Sequence, residues 1–135
     1  MDDVVFKITC DGEKASKLKE MGQYDWSSKS ITDERFPIRP HQPTVRQIEL
    51  VEFDHGPSPR EVLDKFKELG LTRPVYEDAL CVGVQHKDEQ RKGLIVFFHE
   101  PVLSPRGVRD VLALDGDASN RDLYLYWFGD EGGQA

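Results

Sequence analysis

The chain lacks the features of a membrane or exported protein. All of its apolar runs are far shorter than the ~20 residues that a membrane-spanning helix needs. The N-terminus, Met1-Asp2-Asp3, is acidic and does not have the basic and then apolar pattern of a secretory signal. These absences predict a cytoplasmic protein that does not act at a membrane.

Cysteine is scarce, because Cys10 and Cys81 are the only two in the chain. Two cysteines so far apart in sequence could form one bridge, but an intracellular protein keeps its thiols reduced. A reactive thiol would also need a cationic neighbour to lower its pKa, and neither cysteine has one beside it in sequence. We therefore predict two buried free thiols.

Positive charge is also in short supply. Eighteen lysines and arginines stand against 25 aspartates and glutamates, which gives a formal net charge of −7, and no third of the chain is basic. The basic footprint of a nucleic-acid-binding protein is therefore absent, and no direct contact with nucleic acid is expected. An acidic surface fits simple solubility, a basic protein partner or mimicry of nucleic acid.

Motifs for cofactor chemistry are missing as well. The sequence has no glycine-rich phosphate loop, no nucleophile elbow and no paired-cysteine zinc motif. The oxygen-rich stretch at 115–120 resembles a calcium loop, but the twelfth position counted from Asp115 is Tyr126 and not the required glutamate. We predict no cofactor, and enzymatic activity stays open although a non-enzymatic role is favoured.

What the sequence does contain indicates a small globular domain built on a sheet. Residues 94–98, Leu-Ile-Val-Phe-Phe, form a short apolar run bounded by turn residues, which is typical of a strand buried on both faces. Residues 108–114 and 122–128 are two further strand candidates. Because the loops between the three are too short for crossover helices, we expect an antiparallel meander around the first strand.

The N-terminal half adds two strands and the helices. Residues 4–9 and 44–53 have strand patterns, and the second carries apolar residues on both faces, which predicts a central position in the sheet. Helices are expected at 13–21 and 75–82. A third, at 58–69, has Ser58 as N-cap, proline next and Glu61 to complete a capping box.

The predicted fold is therefore a single α+β domain over residues 1–135. It has a mixed or largely antiparallel sheet of about five strands covered by two or three helices. The acidic, glycine-rich end at 129–135 is expected to fray, and the polar stretch at 85–92 to be an exposed connection.

The segment 23–43 shows no regular periodicity, and a loop this long in a small domain is either functional or held by its own side chains. Aromatic residues here and in the last strand are either a cap on the sheet or an exposed patch beside acids that suits a basic protein partner. The candidate binding residues are Tyr24, Asp25, Trp26, Phe36, Tyr124, Tyr126 and Trp127.

Two histidine–carboxylate neighbours form an alternative site. Asp54-His55 and His99-Glu100 both lie at predicted strand ends, where functional residues often collect. Adjacent residues on a strand point to opposite faces, so neither pair can chelate a metal alone. A metal or acid–base site would require all four side chains to meet in one cleft.

Six short stretches are spread along the chain: Tyr24-Asp25-Trp26, Ile31-Thr32, Phe36-Pro37, the predicted strand at 49–53 (Glu-Leu-Val-Glu-Phe), the stretch at 70–74 (Gly-Leu-Thr-Arg-Pro) and the ending at 121–128 (Arg-Asp-Leu-Tyr-Leu-Tyr-Trp-Phe). In these stretches the chain resembles a group of small uncharacterised bacterial proteins. The resemblance covers most of the chain. It implies no activity, because no function is known for the group.

The sequence leaves three functional hypotheses. The leading one is a non-enzymatic interaction or regulatory module that binds a protein through an acidic and aromatic surface. The alternative is a small hydrolase or metal-dependent enzyme that uses Asp54, His55, His99 and Glu100. A second alternative is an acidic mimic of nucleic acid.

Overall fold

The computed structural model describes residues 4–104 and 106–127, so the predicted fraying of 129–135 lies outside the described residues. The strands are β1 (Val4–Cys10), β2 (Trp26–Ser27), β3 (Thr44–Leu50), β4 (Ile95–Val96), β5 (Val102–Leu103), β6 (Arg109–Gly116) and β7 (Arg121–Trp127). The helices are α1 (Ala15–Gly22), α2 (Pro59–Leu69), α3 (Tyr76–Gln85) and a 3-10 helix at Glu89–Lys92.

The larger sheet has the order β2-β7-β6-β4, and β5 pairs with the same edge of β6 as β4 does. The pairs of β6 are antiparallel, whereas β2 runs parallel to β7. The α+β class, a mixed sheet of about five strands and the antiparallel meander β4-β6-β7 are thus confirmed. The five strands are not the five predicted ones, because β2 and β5 take two of the places.

The centre of this sheet is β6 and not the run at 94–98. Residues 110–114 are all buried between β7 on one side and β4 and β5 on the other. Only Ile95–Val96 of the predicted strand pairs with β6, and it lies at the edge of the sheet. Phe97 and Phe98 are buried nonetheless. Their apolar character therefore reflects packing in the core and does not indicate a central strand.

The first two predicted strands form a separate two-stranded sheet. β1 and β3 pair antiparallel over their whole length, with Phe6 opposite Ile48. The predicted central position of 44–53 is therefore wrong: β3 is an edge strand, and its Val45 is 64% exposed. Ile48 packs against the core, which explains one apolar face of this strand, whereas the other face is left to solvent.

Side chains at the C-terminal end of α3 cover the outer edge of β1. The Gln85 amide accepts a hydrogen bond from the Thr9 backbone N–H (2.9 Å) and donates one to the Thr9 carbonyl (2.7 Å). His86 Nε2 lies 2.6 Å from the Lys7 carbonyl. Because β1 is paired on one side and capped on the other, the edge of this sheet that pairs with no further described strand belongs to β3.

Helix α2 begins as its sequence predicts. The Ser58 hydroxyl accepts from the Glu61 N–H (3.2 Å), and the Glu61 carboxylate accepts from the Ser58 N–H (2.9 Å), which completes the capping box. Gly70 ends the helix with a φ of 73°. Val62 is buried and Phe66 partly buried, whereas Leu69, the last residue of the helix, is 42% exposed.

Helix α3 forms the main core together with α1. Residues 78–83 are all buried, and α3 packs against α1, β1 and β6. A second, smaller cluster lies on the other face of the large sheet, where Val62 of α2 meets Phe98 and Val111. Among the described residues, no helix is both long and apolar enough to cross a bilayer.

Candidate functional site

The predicted aromatic patch is not assembled as one surface. Phe36 is fully buried, with its ring 5.1 Å from that of Tyr76, so it is a core residue and not a binding residue. Trp26 (56% exposed) and Trp127 (67% exposed) face solvent, but Trp26 pairs with Asp122 near the start of β7 and Trp127 is at its end. About five residues of strand, roughly 17 Å, separate the two.

Tyr24 and Asp25 belong to a buried hydrogen-bond hub around Arg121. The Arg121 guanidinium is 3% exposed and donates to the carbonyls of Gly22, Gly83 and Lys87 and to the side chain of Gln90. The carbonyls belong to the ends of α1 and α3 and to the turn that follows α3, where the helix dipole favours a cation. The Asp25 carboxylate accepts from the Arg121 backbone N–H at 2.6 Å.

The Tyr24 ring fills the space that two glycines leave open. The ring centroid lies 4.8 Å from Arg121 Cζ, and a Cβ at either Gly22 or Gly83 would overlap the ring or its hydroxyl. Burial raises the pKa of Tyr24 to about 12. Tyr24 is therefore a packing residue and does not belong to an exposed patch.

The polar stretch predicted to be an exposed connection contributes to the same hub. Gln90, in the 3-10 helix, is fully buried, and its amide donates to the carbonyls of Asp115 (2.9 Å) and Asp122 (3.0 Å). These bonds hold the turn between β6 and β7 against the end of α3. The burial of Gln90 could not be predicted from the sequence, because a polar residue that is buried with its hydrogen bonds satisfied cannot be distinguished in sequence from an exposed one.

His99 does not form a catalytic pair with Glu100. Its imidazole is 1% exposed, Nε2 accepts the backbone N–H of Leu112 at 2.9 Å, and Nδ1 lies 2.7 Å from the Glu100 carbonyl oxygen. The ring therefore fills the gap in the pairing of β6 between β4 and β5. Burial lowers the pKa of His99 to about 4, which keeps the imidazole neutral. The Glu100 carboxylate pairs instead with Arg73 at 3.0 Å.

His55 is held by its own neighbours. Nδ1 lies 2.8 Å from an Asp54 carboxylate oxygen and Nε2 lies 3.0 Å from a Glu61 oxygen. The hydrogen bond with Asp54, followed by that with Glu61, raises the pKa of this exposed imidazole. Both histidines have both ring nitrogens occupied by different local partners, so the four predicted residues Asp54, His55, His99 and Glu100 do not form one site.

A cleft of about 830 Å³ separates the two sheets. One wall is β3 and the segment after it, the other is β4 with its flanking residues, and α2 contributes Val62 and Phe66. The lining mixes apolar side chains with charged and polar ones, and this volume falls within the range of ligand pockets. Tyr126 is the only predicted aromatic site residue that lines it, and His55 is the only one of the four histidine–carboxylate candidates that does so.

The outer edge of β3, which pairs with no further strand among the described residues, forms the first wall of the cleft. Lys7 and Thr9 of β1 direct backbone groups away from β3, toward α3. Their partners in the register are Gln47 and Val45, which must therefore direct their own backbone groups away from β1. Gln47 lines the cleft, whereas Val45 lies on the same edge just outside it.

A second open edge forms the opposite wall. The Phe97 N–H donates to the Leu112 carbonyl at 3.0 Å, so Phe97 directs its backbone toward β6. Since consecutive residues of a strand alternate, Leu94 and Val96 direct theirs away from β6. Residues 93–98 all line the cleft. Two sheet edges with outward-directed N–H and C=O groups thus face one space.

A thiol–carboxylate cluster lies beside the cleft, and no sequence motif predicted it. Cys10, Glu77 and Cys81 place their ligand atoms within 4.8 Å of one another, and this is the only such group of three or more among the described residues. Both cysteines are buried and free, as predicted. The i,i+4 spacing of Glu77 and Cys81 on a predicted helix was the one available signal. The approach of Cys10 depends on how β1 packs against α3.

The surroundings of the cluster are charged. Cys10 Sγ lies 3.9 Å from an Asp78 carboxylate oxygen, and Arg46 Nε lies 2.7 Å from the same carboxylate. Burial raises the pKa of Asp78 despite this arginine. Arg46 and Asp78 also line the cleft, so the cluster and the cleft share a wall.

Comparison of the chain with protein families, with curated proteins and with solved structures found no match.

Proposed function

We propose that the chain is a cytoplasmic, non-enzymatic protein-interaction module that binds an extended segment of a partner protein in the cleft between β3 and β4. The observation that carries the proposal is the pair of opposed strand edges. Each edge presents backbone donors and acceptors that a strand can satisfy, and edge strands are ready templates for such pairing.

An added strand accounts for the shape of the cleft better than a compact ligand does. Backbone N–H and C=O groups at the edges of the cleft are costly to bury without hydrogen-bond partners. An extended segment satisfies them along its whole length and joins the two sheets into one. The apolar walls, from Ile48 on β3 to Phe66 on α2, accept alternate side chains of that segment.

Charge favours a basic segment. Within the lining, Arg46 pairs with Asp78 and Lys92 lies 3.4 Å from a Glu89 oxygen, so these cations already have anionic neighbours. Glu52 adds an exposed carboxylate, and the whole chain carries a net charge of −7. A partner segment that alternates apolar and basic residues fits this cleft, and its association is steered by the acidic surface.

An array of short peptides that alternate apolar and basic residues tests the proposal. The tightest binder is labelled, and its affinity is measured by fluorescence anisotropy for the wild type, Gln47→Pro and Val96→Pro. Proline removes an outward N–H without touching the ladder on the other side of the strand. We expect affinity to fall by roughly 2- to 12-fold, the effect of about one net hydrogen bond.

Val45→Pro is the matched control, because it changes the same edge outside the cleft and should leave affinity unchanged. A second control is the same peptide N-methylated at alternate residues, which keeps its side chains and removes backbone donors. The proposal is wrong if no peptide binds, or if Val45→Pro weakens binding as much as Gln47→Pro.

The other two functions predicted from sequence have no comparable support in the described residues. The hydrolase hypothesis required His55 and His99 to act together, and each is engaged with separate local partners. For the nucleic-acid mimic, some of the acids that it would present are already paired, such as the carboxylates of Glu61 and Glu100 with His55 and Arg73.

A further inference from the structure

We propose that Cys10, Cys81 and Glu77 bind a zinc ion, with His41 as the residue that holds Glu77 in position. The three ligand atoms lie within 4.8 Å of one another. A tetrahedral site with Zn–S bonds of about 2.3 Å places its sulfur atoms about 3.8 Å apart, so closure by about 1 Å at most is needed. The inference does not depend on the proposed function.

The backbone brings these ligands together from two rigid elements. Glu77 and Cys81 are four residues apart on α3, so their side chains lie on one face of the helix. Cys10 is the last residue of β1, which packs against that face. Ligands on a helix and a strand are held more precisely than ligands on loops.

The Glu77 carboxylate is oriented before any metal arrives. One oxygen accepts the Gly12 backbone N–H at 2.9 Å, and His41 Nε2 lies 3.0 Å from the other oxygen and 3.1 Å from the first. An ionised carboxylate has about four lone-pair sites, so these contacts still leave one for a metal bond. Partners that fix a ligand in this way are typical of metal sites.

The donor set selects the class of metal. Two thiolates with one carboxylate suit zinc and other borderline divalent ions, and not magnesium or calcium, which prefer oxygen. Three protein ligands leave a fourth position for water or a further ligand. That position is on the side of Glu77 and His41, because the two cysteines are almost fully buried, whereas the Glu77 and His41 side chains are 13% and 38% exposed.

The electrostatics of the thiol pair are consistent with the assignment. A hydrogen bond from Cys81 lowers the pKa of Cys10, and the same bond together with burial raises the pKa of Cys81. Zinc would displace the thiol protons of both cysteines on binding. A structural disulfide between Cys10 and Cys81 would not explain why the Glu77 carboxylate is held in one orientation beside them.

A cobalt titration tests this site. The purified chain is kept reduced with a phosphine, and Co²⁺ is added while thiolate-to-cobalt absorption is followed. We expect one cobalt per chain, displacement by Zn²⁺ because zinc binds such sites more tightly, and a higher thermal midpoint with zinc. Cys81→Ser should abolish the absorption band, and His41→Gln should weaken affinity by roughly 10–100-fold.

Asp54→Asn is the matched control, since it removes an exposed carboxylate beside a histidine far from the cysteines in sequence and should leave the titration unchanged. Circular dichroism establishes that each variant is folded, and Glu77→Gln provides a variant with both cysteines intact that should also bind more weakly. A folded, reduced wild type with no thiolate-to-cobalt band overturns the proposal. So does a protein in which Cys10 and Cys81 form a disulfide and which fails to bind cobalt after reduction.

Discussion

The two sides of the molecule differ in how completely their polar groups are paired. On the closed side, α3 is packed between α1, β1 and β6, and the buried side chains of Arg121, Gln90 and His99 have hydrogen-bond partners, although the Tyr24 hydroxyl has none among the described residues. On the cleft side, the edges of β3 and β4 direct backbone groups into an open space. On the closed side, buried polar side chains bond to the protein itself and specify the fold. On the cleft side, backbone N–H and C=O groups are directed to where a partner can bind them.

This difference explains why the most distinctive stretches of the sequence are poor guides to function. Tyr24-Asp25 and Arg121, which contribute to the resemblance, belong to one buried hub. Phe36-Pro37 is similar, because Phe36 packs on Tyr76 and the Tyr76 hydroxyl donates to the Pro37 carbonyl. Unusual residues in a small domain can thus mark buried polar contacts and not a binding surface.

The largest expected effect is at the centre of the closed side. Arg121→Met leaves the carbonyls of Gly22, Gly83 and Lys87 without their donor. Each buried unsatisfied group costs about 1–3 kcal/mol, so we expect a loss of at least about 3 kcal/mol in the free energy of unfolding, measured with urea. Arg91→Met is the control.

The Arg91 control also removes a guanidinium that donates to two carbonyls, those of Asp117 and Ala118, but on the surface. Water can replace it there, and the expected loss is below about 1 kcal/mol. Equal losses in the two variants would contradict the distinction between the closed side and the exposed surface.

The second prediction uses the imidazole that completes the pairing of β6. His99 has a folded pKa of about 4 against an unfolded value near 6.5, so the unfolded state takes up a proton first as the pH falls. The contribution is fully present above pH 6.5 and is lost between pH 6.5 and 4, by about 3 kcal/mol in total. Protonation also places a proton on Nε2, where the Leu112 N–H now donates.

Urea unfolding at a series of pH values measures this effect, with His99→Gln as the comparison. The variant should be less stable at neutral pH but should lose less stability between pH 6.5 and 4 than the wild type. An unchanged acid limb in the variant would mean that other groups govern acid sensitivity.

The sequence predicted the local structure well where the signal was local. The capping box at Ser58 and Glu61, the fold class and the meander all follow from turn residues and periodicity. The position of β3 could not be predicted, since apolar residues on both faces of a strand occur in central strands and also where one face is left uncovered. The alternation of side chains along a strand does not determine which other strand pairs with it.

The candidate sites were harder to predict because they depend on distant contacts. Cys10 and Cys81 meet only after β1 packs on α3, and the cleft exists only because two sheets form where one was expected. His55 and His99 carried equal weight in sequence, yet one is a surface residue and the other a core residue. Residue type indicates what chemistry is available, and tertiary packing decides where it is used.

A smaller effect is expected where α1, α3 and Tyr24 meet. Gly83→Ala introduces a Cβ that overlaps the Tyr24 hydroxyl, so the ring must shift, at a cost of about 1–3 kcal/mol. Tyr24→Phe removes that hydroxyl, which makes no hydrogen bond within the described residues, and should recover part of the loss in the double variant. Strictly additive effects would show that the ring is not the obstacle. Gly56→Ala is the control, because no atom lies within 4 Å of its Cβ.

The smallest effect is expected at Trp26, two residues from Tyr24 but on the outside of the molecule. Its side chain is 56% exposed, and its strand is held to β7 by backbone pairing, which Trp26→Ala does not remove. Exposed substitutions of this kind usually stay within about 0.5 kcal/mol, whereas Tyr24→Ala should cost several times more because that ring packs against Arg121. Urea unfolding of the two variants measures both. A loss above about 1 kcal/mol for Trp26→Ala would mean that the indole packs against the closed side of the molecule. It would then not be available to a partner.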